Sequence, residues 1–275
     1  MNEKMTEIQD IQKLINDLRE IPAMPNVVMQ AINLVKNPNA SIKDLANIIS
    51  CDQSLSAKVL TLVNSAYYGF SQQITSINRA LALIGMVKAK NLIITIAMRP
   101  MFTRQSDKDL WKHSIRVAVG CEHFAKHKNL LNSDEAFVLG FMHDVGKMIF
   151  NMKDPLFYES MKERFEEGAT SIEVETEKFG CNHTQVGIIL AKKWQLPIII
   201  SNVMKYHHAP QDSSIPVACS LVNVVDTLVQ EHYDYENIDK DVAKIIGIDL
   251  TKYRADMFRD DILEQADNLF NKLST

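Results

Sequence analysis

The chain comprises 275 residues, 46% hydrophobic and 23% charged, the balance of an ordinary globular protein with enough apolar material for a large core. Thirty Lys plus Arg against 34 Asp plus Glu leave a formal charge of −4, which argues against a dominant basic surface and so against non-specific nucleic-acid binding. The four cysteines, Cys51, Cys121, Cys181 and Cys219, form no CxxC pair; that disfavours a disulfide framework and a thiolate zinc site and points to a reducing compartment.

The opening MNEKMTEIQDIQKL lacks the apolar core of a secretory signal, and no apolar run reaches the ~18 residues of a membrane span. A cytoplasmic, non-membrane protein is expected. Ile8, Ile11, Leu14, Ile15 and Leu18 make one helical stripe, and Val27, Val28, Ala31, Ile32 and Val35 a second. Ser41 reads as the N-cap of KDLANIIS, with Leu45, Ile48 and Ile49 as its buried face. SLSAKVLTLVN, SINRALALIG and KAKNLIITIAM follow, each ending near Gly, Asn or Pro. Arg99-Pro100 closes this block, and the polar MFTRQSDKD places a boundary near residue 103. Ser133 or Asp134 is expected to cap a helix running through EAFVLGFMHDVGKMIF. YESMKERFEEG reads as a solvated helix face, and KDVAKIIG and ADMFRDDILEQADNLFNKL as two terminal helices. Short runs such as LIITIAM and PIIIS fit strand or helix, but no period-two segment is bounded by hairpin dipeptides. The fold class is therefore all-α, divided into an N-terminal helical part (1–103), a helical core (104–235) and C-terminal helices packing on it (236–275).

All eight histidines lie after the boundary near residue 103, and five fall into a pattern with two carboxylates: His113, the pair His143-Asp144, His183, the pair His207-His208, and Asp226. Each taken singly has an ordinary explanation as a core or surface residue. Together they differ. Asp144 interrupts an apolar segment, where an unpaired carboxylate is costly and a cation meets the need directly. Imidazoles with carboxylates suit a hard-to-borderline divalent ion. The set offers ligands for one ion, or for two bridged by Asp144. Lys147, four residues after His143, is placed on the same helical face and could hold a phosphate beside the metal.

H…HD…D with HDVGK resembles the HD superfamily of metal-dependent phosphohydrolases. From about Ile21 to Asp226 the chain is more closely similar to the HDOD family, bacterial signal-transduction domains. The segments that carry this are IPAMPNVVMQAINLVKNPNASIKDLANIISCDQSLSAKVLTLVNSAYYGF, INRALALIG, LWKHSIRVA, HDVGK, CNHTQVGIILAKKWQLP and YHHAP. The resemblance implies a multi-helical HD-domain-like core with an N-terminal helical subdomain. Carried over from the related HD-GYP phosphodiesterases, it implies His113, His143, Asp144 and Asp226 around a first metal. It implies His183, His207 and His208 around a second, Asp144 bridging, and Lys147 on a substrate phosphate. After His207-His208 this chain reads APQDSSIP, without GYP, which sets it apart from enzymes that recognise cyclic di-GMP.

Other candidates carry less. Asn64 to Phe70 (NSAYYGF) reads as aromatic closure of a helix end or as a contact surface. Arg116 faces either the pocket or an outward salt bridge. Cys181 reads as a core or loop residue, Trp111 and Trp194 as buried, and His123, His127 and His232 have no assigned role. No Walker or GxGxxG loop is present. Two functions follow. One is a signalling module whose metal-centred pocket binds a protein partner or a small phosphorylated ligand. The other is a phosphohydrolase, using Asp144, Lys147 and metal-activated water on a phosphodiester or nucleotide. The expected cofactor is one or two divalent transition ions of the iron, manganese or zinc class.

Overall fold

The computed structural model describes residues 23–274 apart from 36, 38, 65–67, 69, 103, 232, 249 and 250. The stripe at Ile8 to Leu18, and Ser65, Ala66, Tyr67, Gly69 and His232, lie outside the described residues. Among the described residues every regular element is helical. LIITIAM is helix and wholly buried by neighbouring helices; PIIIS opens a helix of which Ile200 is buried while Ile198 is exposed.

The N-terminal helices are α1 (Asn26–Val35), α2 (Ile42–Ser50), α3 (Gln53–Val63), α4 (Ile77–Ile84) and α5 (Met86–Met98), the last running into a 3₁₀ turn at Arg99–Met101. Their starts are fixed by side chains. Ser41 and Asp44 form a reciprocal capping box, Asp52 accepts from the Leu55 N–H, and Ser76 accepts from the Arg79 N–H, each satisfying amides that the first turn leaves unpaired. Tyr68 and Phe70, described members of NSAYYGF, stack with ring centroids 6.1 Å apart.

The larger core is organised on α6 (Asp107–Lys128). Asp107 and Asp109 lie in its first turn and Lys126, His127 and Lys128 in its last, both signs favourable to the helix dipole. Asn129, at φ 51°, ends it in the left-handed region. Against α6 pack α7 (Ser133–Met142), α8 (Lys147–Lys153), α14 (Pro216–Val229) and α16 (Lys252–Ser274). The remaining α-helices are α9 (Phe157–Ser160), α10 (Lys162–Glu166), α11 (Ser171–Phe179), α12 (His183–Lys193), α13 (Ile198–Tyr206) and α15 (Lys240–Ile245), with 3₁₀ turns at Pro210–Asp212 and Tyr235–Asn237. Helices α1 and α5 join the N-terminal part to α7. There Lys90 pairs with Asp134 at 3.6 Å, both side chains 7% exposed. No single helix among the described residues is long and apolar enough to cross a membrane.

Three expectations need correction. The helix through HDVGK is broken: α7 stops at Met142 and α8 starts at Lys147. The turn between them is held by i→i+3 bonds, Val145 N–H to Met142 O at 3.2 Å and Lys147 N–H to Asp144 O at 2.9 Å. The cap of α7 is Asn132, whose side chain accepts from the amides of Asp134 and Glu135, not Ser133 or Asp134. YESMKERFEEG is two short helices, and its first residue, Tyr158, turns inward to bond a buried carboxylate.

A candidate metal centre

Five separate elements bring the histidines and aspartates together. Helix α6 supplies His113, the turn after α7 supplies His143 and Asp144, α12 supplies His183, the end of α13 supplies His207 and His208, and α14 supplies Asp226. Local sequence explains the placements. The αL Gly180 (φ 72°) closes α11, and Asn182 with Gln185 forms a capping box that opens α12 at His183. Gly146 lies in ordinary helical backbone (φ −58°); its need is space, because a β-carbon there would run into the main chain of His183.

Asp144 is the centre. Its Oδ1 lies 3.2 Å from His183 Nε2 and 3.6 Å from His207 Nε2. Its Oδ2 lies 3.3 Å from His143 Nε2, 3.6 Å from His113 Nε2 and 2.6 Å from Lys147 Nζ. Asp226 stands beside this set, 3.1 Å from His113 and 3.9 Å from His143. His183 Nε2 is 3.3 Å from His207 Nε2 and 3.0 Å from His208 Nε2. Two groupings with ligand geometry result, His113–His143–Asp144 and Asp144–His183–His207–His208, and they share Asp144. His143, Asp144, His183 and His207 form a floor with at most 1% of the side chain exposed, whereas His113 (23%) and Lys147 (18%) reach the mouth.

Lys147 and His143 converge on one oxygen, Asp144 Oδ2, at 2.6 and 3.3 Å. The tightened turn has nearly three residues per turn, so residues three apart eclipse, and the ammonium lies on Asp144. Arg116 takes the outward option: Nε and one terminal nitrogen donate to the two oxygens of Asp267 at 2.8 and 2.9 Å. Cys181, Trp111 and Trp194 are buried.

The ring orientations are set from behind. His143 Nδ1 donates to Gly140 O at 2.7 Å and His207 Nδ1 to Val203 O at 3.1 Å. A carbonyl only accepts, so each ring carries its proton on Nδ1 and turns Nε2 to the cluster. Burial raises the Asp144 pKa, but His143, Lys147 and His183 outweigh it and hold the carboxyl well below its ordinary range. Asp226 is likewise lowered, burial being overcome by His113 and His143. Burial depresses His207 to about 4 and also lowers His208. Near neutral pH the pocket therefore presents carboxylates with neutral imidazoles at His207 and His208, the protonation states that coordination requires.

The residues fit a cation. Asp144 Oδ1 and His143 Nε2 are buried without a hydrogen-bond partner. Such an orphan costs about 1–3 kcal/mol, and divalent ions held by the two groupings would relieve them. Sequence reasoning missed three supports. Glu175, fully buried, accepts from His183 Nδ1 and from the His183 main-chain N–H, both at 2.7 Å. Tyr158 donates to the same carboxylate at 2.7 Å. Asn223 donates to His207 O at 2.8 Å. No sequence signal separates Glu175 from the other acids of IEVETEKFG.

These features define a helical domain with an HD-type histidine–aspartate cluster. The chain belongs to the HDOD domain family, which it matches over residues 21–210. A Geobacter sulfurreducens HDOD protein of unknown function superposes with a TM-score of 0.80 at 24% identity, covering 96% of this chain and 98% of that one. A Shewanella amazonensis protein provisionally named a metal-dependent phosphohydrolase gives 0.65 at 21% identity, covering 98% and 99%. Similarity extends to the cyclic di-GMP phosphodiesterase CdgJ of Vibrio cholerae, 24% identical over 51% of this chain and 31% of that protein. It also extends to a Treponema pallidum protein without an assigned function, 23% identical over 83% and 46%. The chain thus spans less than half the length of either of these two relatives.

Proposed function

We propose that this chain is a bacterial regulatory HDOD module whose Asp144-centred pocket holds one or two divalent transition ions and, through them and Lys147, binds a small phosphorylated ligand. The observation that carries this reading is a buried carboxylate shared by two histidine sets and left with an unpartnered oxygen. His113, His143, Asp144 and Asp226 would hold one ion, and Asp144, His183, His207 and His208 the other. A bound ion supplies Lewis acidity toward phosphoryl oxygens and activates water. Lys147 adds a positive charge at the mouth, and His113 and Asp226 line the approach. The floor excludes solvent, which strengthens these electrostatic contacts.

A second reading, hydrolysis of a phosphodiester or nucleotide, is favoured by the sharing of Asp144 between two sets, the arrangement that two-ion phosphoryl transfer uses. Absence of GYP after His208 favours the module, or a substrate other than cyclic di-GMP. The deciding test is elemental analysis of wild type and Asp144→Ala, followed by binding and turnover assays on a phosphodiester panel. Metal in the wild type and its loss in the variant are expected. A wild type that stays metal-free after reconstitution refutes both readings. Turnover abolished by Asp144→Ala and His143→Ala selects the hydrolase, and binding without turnover selects the module.

A further inference from the structure

Three rings of the cluster have their Nδ1 bonded from behind, but by unlike partners. For His143 and His207 the acceptors are carbonyls of Gly140 and Val203, fixed parts of the helices that carry the rings. For His183 the acceptor is the carboxylate of Glu175, eight residues away on a different helix. Among these three, His183 alone depends on another residue's side chain for its orientation and for the nitrogen that holds its proton.

We propose that Glu175 is a positioning residue for the second ion: its carboxylate fixes His183 in the Nδ1–H tautomer, so that Asp144, His183, His207 and His208 can bind a metal together. The inference rests on the metal-binding reading above. A carboxylate accepts and cannot donate, so a neutral His183 bonded to it through Nδ1 leaves the Nε2 lone pair free. That nitrogen lies within 3.3 Å of Asp144 Oδ1, His207 Nε2 and His208 Nε2. A negative partner behind the ring also makes Nε2 a stronger donor to a cation, as second-layer carboxylates do in histidine metal sites.

Glu175 is itself held on both oxygens. Oε2 takes the main-chain N–H of His183, the first residue of α12, as well as the ring N–H. Oε1 takes the Tyr158 hydroxyl from α9. The side chain is fully buried, so water offers the ring no substitute acceptor. A mere cap for α12 would need only the main-chain bond; the second bond, to the ring that faces Asp144, is what such a cap leaves unexplained.

The test uses the full chain, stripped of metal and titrated calorimetrically with zinc(II) alone, with melting curves as a control for folding. Glu175→Gln preserves shape and can still accept from His183 but removes the charge. Tyr158→Phe leaves both bonds to His183 in place. Two equivalents are expected in the wild type and in Tyr158→Phe. In Glu175→Gln one equivalent keeps its affinity and the other weakens about 10- to 100-fold. Histidine ¹⁵N spectra of the metal-free wild type should show His183 protonated at Nδ1. Two tight equivalents in a folded Glu175→Gln variant, or an Nε2–H tautomer in the wild type, overturn the inference. No zinc uptake by the wild type, with His183 still protonated at Nδ1, refutes the metal-site reading instead and removes the ion this inference requires.

Discussion

Substitution of Gly146 by alanine puts the geometry of the cluster to a direct test. A β-carbon at this position would lie 3.0 Å from the carbonyl carbon of His183 and 3.1 Å from the Gly187 nitrogen, and nearer still to the His183 carbonyl oxygen. Unstrained carbon contacts begin at about 3.5 Å, so the turn and the start of α12 must part by about 0.5 Å or more. All the obstructing atoms are main chain, so relief must move the backbone that carries Asp144 or His183. Overpacking of this kind costs about 1–3 kcal/mol. In a chain of this size each kcal/mol lowers Tm by roughly 2–4 °C, so the drop should lie between roughly 2 and 12 °C. Ligand distances in a metal site tolerate only about 0.2 Å. The 3.2 Å approach of Asp144 to His183 should therefore fail before the fold does. Melting curves and elemental analysis of metal-loaded protein report the two effects separately. A Gly146→Ala protein that melts within 1 °C of wild type and carries the same metal content refutes the close-approach argument.

The pH dependence follows from His207. Burial lowers its pKa from 6.5 to about 4, so the unfolded chain takes up that proton first. The associated stability is complete above pH 6.5 and is lost as pH falls toward 4, about 1.4 kcal/mol per pH unit. Metal-free His207→Asn, compared with wild type by urea unfolding, should lose about 2 kcal/mol less between pH 6.5 and about 5; equal losses would contradict the neutral, buried ring. Lys90→Met strands the carboxylate of Asp134, whose pKa burial already raises. It should cost about 3 kcal/mol, and adding Asp134→Leu should recover most of it. Arg116→Ala, by contrast, breaks an ion pair with the one-third-exposed Asp267. It should cost no more than about 1 kcal/mol and leave zinc uptake unchanged; a loss of metal would return Arg116 to the pocket.

What the sequence makes legible is local or chemical. The helices from Asn26 to Ile84 announce themselves by a 3.6-residue period, and Ser41 is legible because a cap acts within its own turn; LIITIAM in α5, apolar throughout and without a capping side chain, is not. The histidine–aspartate set is legible because carboxylates and imidazoles in apolar segments need partners. The break at His143–Gly146 is not, since the apolar pattern runs through it. It is imposed by the close approach of α12, nearly forty residues later in sequence. Glu175 is hidden for the same reason. In sequence it is one acid among several in IEVETEKFG, and only the packing of α9 and α12 around α11 separates it from its solvated neighbours. Lys147 shows a third case: its side of the pocket is legible from its spacing to His143, but its bond to Asp144, three residues back, is not, because three residues per turn replace 3.6 there.

The dispersal of the cluster has a consequence for how the molecule folds. His113 and Asp226 touch at 3.1 Å although more than a hundred residues separate them in the chain. Contacts so distant in sequence must close long loops and form late. No fragment lacking α6, α12 or α14 carries the full constellation. An ion held there binds the finished fold and not its pieces, and so stabilises the native state by mass action in proportion to the logarithm of its concentration. Chelation would then act at a distance, loosening helices that never touch the metal.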